Sequence, residues 1–133
     1  MFYAFSVPIP ANTPSTAPVD VEAVLTYGVI DHVEVHIPAG CAGLTHLKIL
    51  QGLHQVWPTN EDENFTGDSI NLVWGDAYEL FEPPYTLTLR AWNLDEIYPH
   101  TLIVRFGLYV PRKTITERFM ERILGVPSEG GRA

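Results

Sequence analysis

Apolar and polar residues alternate strictly in Val33-Glu34-Val35-His36-Ile37, the signature of a half-buried strand. The same period runs through Tyr85, Leu87, Leu89 and Ala91, set against Thr86, Thr88, Arg90 and Trp92. It recurs in Leu102, Val104, Phe106, Leu108 and Val110, set against Ile103, Arg105, Gly107 and Tyr109. Shorter runs at 21–27, 44–50, 70–74 and 77–81 read as further strands. Turn residues separate them, at Pro38-Ala39-Gly40, Pro58-Thr59-Asn60, Gly67-Asp68, Gly75-Asp76 and Pro83-Pro84. About seven short strands with no interleaved helix predict an all-β antiparallel sandwich or jelly roll over 20–111. Asn93-Leu94-Asp95-Glu96 is expected to join the two best strands as a hairpin, and 58–68 to form an exposed acidic loop.

The two ends break this pattern. Residues 8–18 carry four prolines, which fix φ and remove backbone donors, so 1–19 reads as an extended arm. After Pro111 the period lengthens: Ile115, Phe119, Met120, Ile123 and Leu124 form one stripe at helical spacing. Thr114 and Glu117 match a capping box, and Gly125 stands where a helix stop is expected. An amphipathic helix is therefore predicted over 112–126, with a tail at 127–133.

Composition narrows the function classes. The 133 residues are 46% hydrophobic, enough for a core at this length, and one domain is the expectation. Sixteen acids against eight Lys and Arg give a net charge of −8, which argues against nucleic-acid binding. No apolar run reaches the roughly 18–20 residues of a membrane span, so no membrane role is expected. The lone Cys41 allows no internal disulfide, and the N-terminal region lacks the features of a signal peptide. A cytoplasmic location is the default unless the protein belongs to a virion.

Candidate chemistry is sparse. His32, Glu34 and His36 share one strand face and form the candidate metal set, completed by His46, His54 or His100. Two histidines on a solvated strand are ordinarily just surface residues, so no cofactor is expected. Glu61, Asp62, Glu63, Asn64 and Asp68 offer oxygen ligands without the spacing of a calcium loop. Asp76 with Glu79, and Asp95 with Glu96, are carboxylate pairs with nothing to set them apart from turn residues. Cys41 lacks a hydrolase signature, and no phosphate-binding glycine loop follows a strand. An enzyme is not expected.

An aromatic arm, an acidic sandwich and a basic helix suit a subunit that assembles. Phe2, Tyr3 and Phe5 on the arm are the candidate contacts there. Phe119, Ile123, Leu124, Arg118 and Arg122 are their counterparts on the helix. This layout, taken over the whole chain, resembles small structural proteins of tailed-phage particles, such as head decoration, head–tail and tail subunits. The likeness is one of architecture and carries over no individual residue. It implies a non-enzymatic virion protein whose partners are copies of itself or a capsid or tail protein. The rival reading is a carbohydrate-binding module in which Trp57, Trp74, Trp92, Tyr78 and Tyr98 provide flat rings for glycan.

Overall fold

The computed structural model describes residues 1–111, and they build eight strands. In order these are β1 (Phe2–Ile9), β2 (Val19–Val24), β3 (Gly28–Ile37), β4 (Thr45–Gln51), β5 (His54–Trp57), β6 (Ile70–Leu80), β7 (Thr86–Asn93) and β8 (His100–Tyr109). They form two four-stranded sheets, β1-β8-β3-β6 and β2-β7-β4-β5. Every pairing is antiparallel: β1 with β8, β2 with β7, β3 with β6 and β4 with β5, then β3 with β8 and β4 with β7. The first four pairs are those of a single long hairpin folded at β4–β5 and rolled into two layers. That is the topology of a jelly roll.

Alternation decides which side chains meet between the layers. Val33, Val35 and Ile37 of β3, Leu102, Val104 and Phe106 of β8, Leu47 and Ile49 of β4, and Leu87 and Leu89 of β7 are all fully buried. Each such side chain contributes roughly 1.5–3 kcal/mol by leaving water. A one-residue slip would turn each set outward, so burial fixes the register.

The expectation of an N-terminal arm is overturned. Phe2–Ile9 is an edge strand of the sandwich, in unbroken register with β8 from Phe2 opposite Gly107 to Ile9 opposite His100. Val7 and Ile9 are buried, and Tyr3 and Phe5 also pack against the core. Pro8 is tolerated because an edge strand has one row of backbone groups with no ladder partner. The prolines that follow do not free the chain either. Thr13 and Asn93 exchange both backbone hydrogen bonds, at 2.8 and 2.9 Å, and Asn12 N donates to Asp95 O at 2.7 Å.

Two local expectations change as well. Residues 94–99 do not close a hairpin: β7 and β8 lie in different sheets, and the segment is a corner between them. The 70–74 and 77–81 runs belong mostly to one strand, β6, which continues through Gly75-Asp76. There the register of β3 shifts between Ile30 and His32 against both neighbours, so the glycine marks an irregularity in the ladder, not a turn. No helix occurs among the described residues, which form an all-β sandwich without the predicted N-terminal arm. The helix expected over 112–126 lies outside the described residues, as do Phe119, Ile123, Leu124, Arg118 and Arg122.

Candidate functional site

A groove of about 660 Å³ lies on the outer face of the β2-β7-β4-β5 sheet. Its floor follows from strand register. Asp20 of β2 stands opposite Arg90 of β7, and Arg90 stands opposite Lys48 of β4, so the three form one rung. The next rung pairs Trp92 with His46. Arg90 donates from Nε and Nη2 to the two carboxylate oxygens of Asp20, at 2.9 and 3.0 Å. That bidentate pair raises the Arg90 pKa above its usual value. Lys48 takes another course: its Nζ lies 5.8 Å from the centre of the Trp92 ring. His46 stacks on Trp92 at 5.3 Å and donates from Nδ1 to Asn64 Oδ1 at 2.6 Å.

The walls come from two loops, with Ser15, Thr16 and Pro18 from one and Asp62 and Asn64 from the other. The second loop is well anchored. Buried Gln55 donates to the carbonyls of Pro58, Glu63 and Asn60, at 2.8, 3.2 and 3.3 Å, and Phe65 bridges to Leu47. The acidic stretch 58–68 is thus exposed at Glu61, Asp62 and Glu63, as its composition suggests, yet pinned from beneath.

The residues singled out in the sequence are distributed differently. Phe2 is 71% exposed on the outer face of the first sheet, whereas Tyr3 and Phe5 are half-buried and pack on the core. Phe2 meets His32 edge-on at 5.5 Å across Gly107, where a Cβ would fall 2.9 Å from His32 Cβ. His32 Nε2 hydrogen-bonds Glu34 Oε1 at 2.9 Å, and Arg105 Nη1 donates to Glu34 Oε2 at 3.4 Å. The His32 bond is the main reason the Glu34 pKa is lowered, with a smaller contribution from Arg105. Glu34 is thus engaged by two side chains, and no cluster of three metal-ligating groups occurs among the described residues. Cys41 is fully buried, and desolvation raises its thiol pKa, the setting of an inert cysteine.

The tryptophans do not form an exposed platform. Trp57 lies in the core, Trp74 packs partly buried against it, and Trp92 is only 8% exposed beneath His46. Of the groove residues, Trp92, Asp62 and Asn64 carry sequence-level interest, while Lys48, Asp20, Arg90, Ser15 and Thr16 do not. Alternation does put Arg90 and Trp92 on one strand face, but what stands opposite them depends on non-local pairing.

The β7–β8 corner holds a second polar cluster. Asp95 accepts from Ile97 N at 2.9 Å, Tyr98 N at 3.1 Å and His100 Nε2 at 2.9 Å. The Ile97 bond is the largest cause of its lowered pKa, followed by His100. A carboxylate depressed in the folded state stabilises fully above its unfolded pKa near 3.8, and that contribution is lost as pH falls through the folded value. Asp95→Asn should therefore flatten the acid limb of the stability curve below about pH 4, measured by urea midpoints across pH. An unchanged limb would remove Asp95 from acid unfolding.

No protein-family model matches the chain, and no curated protein sequence does.

Proposed function

We propose that this chain is a non-enzymatic structural subunit that associates with copies of itself, as part of a virus particle. The observation that carries this reading is the open edge of β6. Of its eleven residues, the first five (70–74) carry no charge and no proline, Asp76 and Glu79 falling beyond Gly75, and it has no strand on its outer side among the described residues. Ile70 is 41% exposed on it and Val73 52%. Native proteins usually blunt such an edge, because unpaired backbone groups recruit another strand. The other three edges here are blunted: β1 carries Pro8, β2 presents Asp20 and Glu22, and β5 has four residues.

Charge favours a second copy as the partner. Residues 1–111 hold thirteen acids and three Lys or Arg, whereas 112–133 hold five Lys or Arg and three acids. An acidic body and a weakly basic segment on one chain are complementary between molecules. The jelly roll supports the virion assignment by fold analogy, since capsid proteins use it, as lectins and cupins also do.

Light scattering after size exclusion tests the reading. The full chain should run as a defined oligomer of its 14.9 kDa mass, and Val73→Lys should shift it toward monomer while circular dichroism stays native. A wild-type monomer at micromolar concentration and low salt would overturn self-association. An oligomer indifferent to Val73→Lys would move the interface off β6.

A further inference from the structure

We infer that the groove on the β2-β7-β4 face binds a carboxylate-bearing saccharide, with Lys48 as the partner of the carboxylate. Lys48 and Arg90 face each other on one rung, and like charges directly opposite across a sheet are unfavourable. Asp20 offsets Arg90 through two hydrogen bonds. Nothing comparable holds Lys48: it forms no ion pair among the described residues, and its Nζ sits over the Trp92 ring. The described residues contain only three Lys and Arg, and two of them stand together in this groove on an otherwise acidic body. A cation held beside a like charge, above an aromatic ring and with no carboxylate in ion-pair contact, is suited to an incoming anion.

The rest of the lining says which kind of anion. Asp20 and Asp62 would repel a phosphate-rich ligand, so one negative charge suits the site better than several. Ser15, Thr16 and Asn64 bring hydroxyl and amide groups that both donate and accept, matching a ring of neutral hydroxyls. The amide of Asn64 is oriented by His46, and its loop is held by Gln55, so this wall is organised before any ligand arrives. The volume lies within the usual range of small-molecule sites, roughly 300–1,000 Å³. Uronic and sialic acid sugars combine one carboxylate with many hydroxyls. Because the groove lies on the sheet opposite β6, binding and assembly use different surfaces.

The full chain should be titrated with galacturonate and sialyllactose, with galactose and lactose as neutral counterparts, by calorimetry and by amide chemical-shift mapping. At least one acidic sugar should bind and shift the amides of 15–20, 46–48, 62–64 and 90–92. Lys48→Gln should weaken that binding about tenfold or more, since a hydrogen bond to a charged group is lost. The same substitution relieves the clash with Arg90, so the fold should persist. Failure of both acidic sugars to bind, equal binding of the neutral counterparts, shifts confined to another surface, or unchanged affinity in Lys48→Gln would each overturn the inference.

Discussion

A chain lacking residues 1–9 should fail to fold cooperatively, rather than fold and lose its partners. The deletion removes the whole of β1 and strips eight registered positions from the edge of β8. Val7 and Ile9 are fully buried or nearly so, and Tyr3 and Phe5 contribute half-buried rings. At roughly 1.5–3 kcal/mol for each full burial, the loss approaches the 5–15 kcal/mol that stabilises a typical domain. It would also leave Leu102, Val104 and Phe106 open to solvent along the uncovered edge. The measurement is a thermal melt followed by circular dichroism, with amide shift dispersion as a second readout. A sharp transition near the wild-type midpoint would mean that the remaining seven strands suffice, and would restore β1 to the role of an appendage.

The single substitution expected to cost most is Phe106→Ala. Phe106 has no exposed surface and lies where the two layers meet. Its ring centre is 6.1 Å from that of Phe5 on β1 and 6.3 Å from that of Trp57 on β5, so it touches both sheets. Truncating a buried phenylalanine costs about 3–5 kcal/mol through lost transfer energy and the cavity left behind. Urea unfolding should report that loss as a lower midpoint with an unchanged slope. Ile97→Ser, at an exposed corner position, should change stability by about 0.5 kcal/mol or less. If Phe106→Ala cost under about 1 kcal/mol, the core would have to close around the gap, and the packing described for it would be wrong.

The sandwich was legible where local pattern is sufficient. β3, β7 and β8 announce themselves by alternation, because each has one face in the core and one in water. β1 carries the same period, with Tyr3, Phe5, Val7 and Ile9 inward, yet its proline and those following it suggest a free arm. Proline excludes a central strand but not an edge, and only knowledge of the partner distinguishes the two cases. The corner at 94–99 escapes local pattern for a related reason. Adjacent strands in sequence usually pair, but here each finds its mate on the far side of the rolled hairpin. The groove was the least legible feature. Lys48 and Arg90 are 42 positions apart in sequence, and their shared rung exists only once β4 and β7 pair.

The rolled hairpin has a consequence for synthesis. Only the pairs near the fold of the hairpin, β4 with β5, are close in sequence, and each successive pair spans more chain until Phe2 meets Gly107. Ribosomes add roughly 5–20 residues per second, so β1 waits on the order of 5–20 s before β8 exists. Throughout that time Phe2, Tyr3, Phe5, Val7 and Ile9 have no native strand beside them. The sandwich therefore closes last where it was translated first, and β1 gains its native neighbour only when the final strand emerges.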